Sequence, residues 1–279
     1  MNTQKRKIWF VTGASKGFGL ILVKQLLALG QKVAATSRTT DELIKAVGDT
    51  TDNFLPLQVD LASDASVKEA ISKTEATFGG LDVLINNAGY GIGGSLEEVE
   101  DAAVRAAFDI NVFGVFNTIR HALPIMRKQQ SGHIINIASI AGVAPGSGWS
   151  PYSATKAAVI GLSEGLAQDV QPFGITVTVV APGAFRTSFL SKESLSVPKE
   201  ITGEYTFINE MLHKYQNMDG LQAGDPEKGA AIMIQTAFEK NPPLHLLLGS
   251  DAYRRATSKF EKQMAAFENL KELTTSTEY

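Results

Sequence analysis

Short apolar runs alternate with amphipathic stretches through most of the chain, and turn-forming residues separate them. Residues 7–12 (KIWFVT) are apolar at successive positions and stop at Gly13. Such a run predicts a short strand buried on both faces. Residues 18–29 carry helical periodicity and end at Gly30, a C-terminal cap. A second strand is predicted over 32–37 and a short helix from Thr40. A third strand falls over 54–59, where Pro56 points to a sheet edge. Ser63 reads as the N-cap of a helix over 64–78 that Gly79-Gly80 closes. The fourth strand is 81–86, followed by helix from about 97 to 127, broken or bent near Pro124. The fifth strand is 133–138, with helix over 151–170, and the sixth is 174–180, ending at Pro182-Gly183.

The alternation then stops. Residues 184–225 lack strand periodicity and hold scattered aromatic side chains. Pro226 begins a helix to about 238, and 244–248 is a short seventh strand ended by Gly249. The tail over 251–273 is amphipathic and helical, with apolar residues at 260, 264, 267 and 270. That spacing predicts docking on the body or on a second subunit rather than on a membrane. No repeat of solenoid period is present. Strand–helix alternation with wholly apolar strands predicts an α/β fold: a doubly wound parallel sheet of about seven strands with helices on both faces. Ligands bind such sheets beyond the C-terminal strand ends, near the point where strand order reverses.

Composition narrows the function classes. The chain has 279 residues, 44% hydrophobic and 20% charged, within the range of a globular protein that buries a large core. Lysine and arginine number 26 and aspartate and glutamate 29, so 26 − 29 = −3. This balance gives no reason to expect nucleic acid or an anionic membrane as partner. There is no cysteine, which excludes disulfides, thiolate catalysis and iron–sulfur clusters and suits a cytoplasmic location. The N-terminal apolar run is too short for a signal-peptide core, and no apolar stretch reaches the length of a transmembrane helix. His121, His133, His213 and His245 are scattered without ligand spacing, so no metal is expected.

The strand ends carry the candidate chemistry. The first reads Thr12-Gly13-Ala14-Ser15-Lys16-Gly17-Phe18-Gly19, a glycine-rich turn between strand and helix. Free N–H groups at the helix start favour a pyrophosphate, although a plain βα turn also uses glycine. At the second strand end, Ser37-Arg38 stands where an acidic residue would bind the ribose hydroxyls of NAD. Arg38, with Lys16, offers positive charge to the 2′-phosphate of NADP(H); the alternative leaves Arg38 solvated and Asp41 as the acid. Asp60 of Asp60-Leu61 could accept from an adenine amino group or cap its own turn. Asn87, Ala88 and Gly89 are small residues that let backbone approach a cofactor. Tyr152 and Lys156 lie four apart, on one helix face, so an ammonium stands near a phenol and favours its ionised form. Ser139 can hold a carbonyl beside that phenol, and Asn111 could hold a water or stabilise a kink in the long helix.

These motifs together resemble the short-chain dehydrogenase/reductase superfamily, in its single-domain branch, from about residue 8 to 187. The carriers are TGASKGFG at 12–19, Asp60-Leu61, NNAG at 86–89, Asn111, Ser139, YSATK at 152–156, and Pro182-Gly183 followed by Thr187. The resemblance implies one Rossmann-like domain over 1–279, with 184–225 as a helical substrate lid. It implies NADPH delivering hydride to a fairly apolar ketone, or the reverse with a secondary alcohol. Tyr152 would protonate the oxygen, and Lys156 would lower the phenol pKa and bind the nicotinamide ribose. Ser139 would orient the carbonyl and Asn111 anchor a relay water. Within the family the chain is loosely similar to hydroxysteroid and retinol dehydrogenase-type members, and a homo-oligomer, dimer or tetramer, is implied. Tyr90, Val143, Trp149, Phe185, Phe189, Tyr205 and Met211 are the candidate substrate-pocket residues, and Gly142, Gly146 and Gly148 could let the loop before Tyr152 move. A non-catalytic NADP-binding sensor or scaffold on the same fold is the alternative, and an isomerase or dehydratase with retained cofactor is a third.

Overall fold

The structure, a computed structural model, describes residues 6–48, 51–191, 193–199 and 202–278. The order is β1 (Ile8–Val11), α1 (Gly17–Ala28), β2 (Lys32–Ser37), α2 (Thr40–Val47), β3 (Phe54–Gln58), α3 (Asp64–Phe78) and β4 (Val83–Asn86). Then come β5 (Gly91–Ile92), α4 (Asp101–Phe108), a π-helical turn (Asp109–Phe113), α5 (Gly114–Gln129), β6 (Gly132–Ile137), α6 (Ile140–Val143) and α7 (Ser150–Val170). The remainder is β7 (Ile175–Pro182), β8 (Leu195–Ser196), α8 (Thr206–Asn217), α9 (Pro226–Thr236), β9 (His245–Leu248), α10 (Ser250–Asn269) and α11 (Lys271–Thr275).

Seven strands form one parallel sheet in the order β3-β2-β1-β4-β6-β7-β9. The chain winds outward from β1 to β3, then returns to place β4 on the other side of β1. The switch point therefore lies between β1 and β4, at the glycine turn. Neighbouring residues of β1 show why the strands are apolar throughout. Phe10 packs with Ile71, Leu84, Met126 and Val159 beneath α3, α5 and α7, whereas Trp9 and Val11 pack with Leu22, Leu26 and Met233 beneath α1 and α9. Successive side chains point to opposite faces, and both faces are covered. Burying each of these side chains is worth about 1.5–3 kcal/mol.

Pro56 does lie on an edge strand, opposite Ala35. Ser63 caps α3 by accepting from the Ser66 N–H at 3.3 Å, and Gly79 closes it in the left-handed region (φ 91°). The long helix differs from expectation. It passes through Pro124 without ending and is interrupted instead at Asp109–Phe113, where Asn111 is drawn toward Tyr90. The segment after β7 is not strand-free either: β8 pairs in parallel with β5 in a separate two-stranded sheet. This pairing and α8 seat the segment expected as a lid on residues 91–100. The tail docks on the body only through its first turns, by Ala252 and Ala256, while Phe260, Met264, Phe267 and Leu270 stay exposed. No described helix is long and apolar enough to cross a membrane.

Candidate active site

Hydrogen bonds across the switch point shape the first part of the site. The Thr12 hydroxyl accepts from the N–H groups of Asn87 and Ala88, each at 3.0 Å. The Asn87 amide donates back to the carbonyls of Thr12 (2.9 Å) and Gly13 (3.0 Å). The ends of β1 and β4 are thereby clamped so closely that side chains have no room. A Cβ on Gly19 would stand 2.3 Å from the Gly13 carbonyl oxygen, and one on Gly13, itself at φ +65°, 2.8 Å from Ala88 Cα. Gly17, in contrast, has room around it: a Cβ there would make only an ordinary contact, with Thr187 Cβ at 3.8 Å. At the start of α1, Lys16 holds the N-cap position without a side-chain cap, and no acid occupies the first turn. An open floor at Gly17 and an uncapped helix N-terminus fit a dinucleotide pyrophosphate. Gly13, Gly17 and Gly19, with Ser15 and Phe18 between them, would hold it.

The predicted nucleotide contacts separate on inspection. Arg38 is exposed and makes no ion pair or hydrogen bond among the described residues, as an arginine open to an anion would. Lys16 instead lies 3.5 Å from Glu193 of the lid. The Ser37 hydroxyl is engaged with the Thr39 backbone. Asp60 caps its own turn, accepting from the Ala62 N–H at 3.0 Å. The Leu61 carbonyl accepts from the Asn117 amide at 3.0 Å. At the far end, the Gly183 N–H donates to the Leu248 carbonyl at 2.8 Å, and the Ala184 N–H donates to Asp251 Oδ2 at 2.9 Å. Asp251 thus fixes the turn after Pro182; nothing in its sequence surroundings signals that long-range role.

Ser139, Tyr152 and Lys156 come together at the ends of β6 and α7. Ser139 is the N-cap of α6, accepting from the Ala141 N–H at 3.1 Å. Lys156 is buried, and its Nζ donates to the Ile137 carbonyl at 2.8 Å and lies 5.9 Å from the Tyr152 ring centre. Burial lowers the Lys156 ammonium to about 8. It also raises the Tyr152 phenol well above its ordinary value, and the hydrogen-bonding interaction with Ser139 pulls the other way without offsetting it. The expectation that the ammonium lowers the phenol is therefore corrected. Desolvation dominates here and opposes ionisation of the Tyr152 phenol. Asn111 is fully buried: its Oδ1 accepts from the Tyr90 N–H at 3.0 Å, and its Nδ2 donates to the Tyr90 carbonyl at 2.9 Å and the Thr155 hydroxyl at 3.2 Å. Of its two readings, the kink is the one its side chain serves. A Cβ on Gly89 would stand 3.0 Å from Asn111 Oδ1 and 3.4 Å from Lys156 Nζ, so backbone reaches the base of the site here.

An aromatic cluster covers the phenol. Trp149 meets Tyr152 edge-on at 5.8 Å and Tyr215 at 5.4 Å, and Phe189 lies 5.4 Å from Tyr152. Tyr90, Tyr205 and Met211 join the same cluster. Phe185 and Val143 do not. Phe185 packs at a tilt on Phe18 at 5.1 Å in the core beneath α1, and Val143 packs toward Ala252 of α10. The glycines before Tyr152 also serve close packing: a Cβ on Gly148 would stand 2.8 Å from Ile208 of the lid, and one on Gly142 would stand 2.7 Å from the Lys156 backbone. Only Gly146 meets open space.

Two groups escaped the sequence reading. A buried chain runs from the Thr118 hydroxyl to Asn86 Oδ1 (2.6 Å), from Asn86 Nδ2 to Asn136 Oδ1 (2.8 Å) and from Asn136 Nδ2 to Ser163 (2.9 Å). It fixes the register of β4 and β6 beside the site; the signal was Asn136, a lone amide in an apolar strand. The Glu98 carboxylate holds the lid, accepting from the Thr202 N–H at 2.9 Å, while Tyr205 donates to Glu97 at 2.8 Å. No group of three or more potential metal ligands occurs among the described residues.

A family model described as short chain dehydrogenase matches residues 7–197. The chain is 35% identical over 268 residues to Oxidoreductase BOA17 of Botryotinia fuckeliana, covering 96% of this chain and 97% of that one. It is 39% identical over 248 residues to a 3-ketodihydrosphingosine reductase of Bacteroides thetaiotaomicron, covering 87% and 88%. The crystal structure of a short-chain dehydrogenase from Streptomyces avermitilis superposes with a TM-score of 0.90 at 35% identity, over 98% of this chain and all of that one. The closed form of a serine dehydrogenase complexed with NADP+ superposes with a TM-score of 0.74 at 28% identity, over 86% and 94%.

Proposed function

The chain belongs to the short-chain dehydrogenase family of oxidoreductases, and on that premise we propose that it is an NADPH-dependent carbonyl reductase for a fairly apolar ketone, reversible with a secondary alcohol. The observation that carries this reading is the burial of the Tyr152 phenol and the Lys156 ammonium together beneath an aromatic cluster. A bound NADPH supplies the hydride. Ser139 holds the carbonyl oxygen beside the phenol, which donates its proton as negative charge develops on that oxygen. Lys156, anchored by the Ile137 carbonyl, holds a positive charge next to the phenolate left behind and would donate to the ribose hydroxyls of a bound cofactor. The aromatic cluster excludes water and accepts an apolar substrate.

The choice of NADPH rests on Arg38. It is exposed and unpaired at the end of β2, where a 2′-phosphate would lie. Lys16 adds charge there once it leaves Glu193. Asn87, Ala88, Gly89, Pro182, Gly183 and Thr187 would complete the cofactor groove, and Asn111 holds the backbone at Tyr90. We take residues 1–279 as one domain acting in the cytoplasm as a homo-oligomer. Exposed Phe113, at the end of the π-helical turn, and Phe116, in the first turn of α5, support the last point.

The test is loss of reduced-nicotinamide absorbance with a panel of ketones, in parallel for NADPH and NADH. Turnover with NADPH that falls about 10²–10⁴-fold in Tyr152→Phe, with NADPH affinity kept, is the expected result. Near-normal turnover in that variant would refute the assignment. NADPH binding without turnover of any carbonyl would favour the sensor reading.

A further inference from the structure

The last two helices run off the body of the protein. α10 is rooted there by Ala252 and Ala256, which are buried, and by Asp251, whose Oδ2 accepts from the Ala184 N–H at 2.9 Å. From Phe260 to Glu278 no residue is buried. Helices in water are held mostly by packing an apolar face, and one of fewer than about 15 residues is marginal without it. The projecting part has such a face. Tyr253, Thr257, Phe260, Met264 and Phe267 follow one another in alternating steps of four and three residues, which is the spacing of a coiled-coil seam. The four large side chains among them are each more than half exposed. At 3.6 residues per turn the seam stands about a quarter turn from the Ala252–Ala256 face, so the body leaves it uncovered.

Charge along the helix says what fits the seam. Residues 250–263 carry four cations and two acids, and residues 264–278 carry one cation and three acids. The helix is therefore complementary to a reversed copy of itself. On the flank of the seam away from the body stand Arg254, Glu261 and Glu268, one in every seven residues. With Phe260 opposite the partner's Met264, an antiparallel copy brings Arg254 beside the partner's Glu268 at both ends. Glu268 also lies 3.4 Å from Lys271 of its own chain, an exposed contact of little energy that leaves the carboxylate open to a second cation. Glu261 meets its own copy at the centre, the one like-charged contact on this flank. A parallel pair would set the two cationic halves side by side and give none of these residues an opposite charge. A lipid surface fits less well, because an interfacial helix borders its apolar face with lysine and arginine, whereas this flank holds two glutamates and one arginine.

We propose that α10 pairs with α10 of a second copy of this chain, antiparallel, along the seam from Tyr253 to Phe267. The proposal takes from the preceding section only that the protein self-associates, and it names the surface; the reductase chemistry does not enter it.

Sedimentation equilibrium of the full chain tests it. The wild type is set against the triple variant Phe260→Ser, Met264→Ser, Phe267→Ser, and against Arg254→Glu, Glu268→Arg and the double reversal. The expected result is an assembled wild type whose mass halves in the triple variant. Each single reversal should raise the dissociation constant roughly tenfold, since a small charge contact occurs twice and changes sign, and the double reversal should restore it. A monomeric wild type at tens of micromolar would overturn this proposal and the homo-oligomer reading together. An assembled wild type whose mass survives the triple substitution would overturn the helix pairing alone. Single reversals without effect, or a double reversal as weak as the singles, would overturn the antiparallel arrangement even where serine at the seam merely unwinds the helix. Flotation with vesicles of phosphatidylcholine and phosphatidylglycerol completes the test: wild type that floats, and stays down in the triple variant, would assign the seam to lipid and overturn the proposal.

Discussion

Replacing Lys156 by methionine removes a cation from a site where burial opposes charge, and the consequence for stability depends on pH. The ordinary lysine value is 10.5 and the buried one about 8. That gap corresponds to about 3 kcal/mol, at about 1.4 kcal/mol for each tenfold change in proton affinity. The unfolded chain binds its proton more tightly than the native one. Below about pH 8 both states carry it, and the full burial penalty weighs on the native state. As pH rises from about 8 toward 10.5 the native state releases its proton first, so stability rises over that window. Lys156→Met is neutral in both states and lacks this dependence. The difference in unfolding free energy between the two proteins should therefore shift by about 2.5 kcal/mol toward the wild type between about pH 7 and about pH 10. Urea unfolding of both proteins at the two pH values measures it, since titrations uncoupled from Lys156 cancel in the difference. A difference constant to within about 0.5 kcal/mol would show that Lys156 is not desolvated as its position implies.

Three further outcomes are expected. Carbonyl reduction should decline as pH rises through about 8, because Lys156 then loses the charge that supports the phenolate; a rate still level a full unit above that pH contradicts the role. Arg38→Asp should weaken NADPH binding at least tenfold and NADH binding little, since a charge-assisted phosphate contact is worth about 1.5–3 kcal/mol; fluorescence titration with both cofactors checks it, and equal losses would dismiss the 2′-phosphate contact. Gly19→Ala should lower stability by about 1–3 kcal/mol and weaken cofactor binding, because its Cβ meets the fixed Gly13 carbonyl at 2.3 Å. A thermal melt and NADPH titration unchanged from wild type would show that the turn can relax.

The order of strands and helices was legible along the chain, because each doubly covered strand must be apolar at every position while helices repeat near 3.6 residues. The edge place of β3 followed from Pro56, and the caps at Ser63 and Gly79 from local backbone chemistry. Ser139, Tyr152 and Lys156 were nameable because two share a helix turn and the third ends a strand. Their electrostatics were not: the sign of the shift on Tyr152 depends on how much water the lid excludes, which residues far apart in the chain decide. Phe185 and Val143 pack apart from the aromatic cluster for the same reason. Apolar character says that a side chain is buried, and only packing says against what: Phe18 for one and the Ala252 face of α10 for the other. The interruption at Asn111 and the lid's hold on Glu98 each join segments remote in sequence. Local pattern fixes elements within a few residues' reach, whereas the partners of a long-range hydrogen bond exist only once the sheet has set the elements side by side.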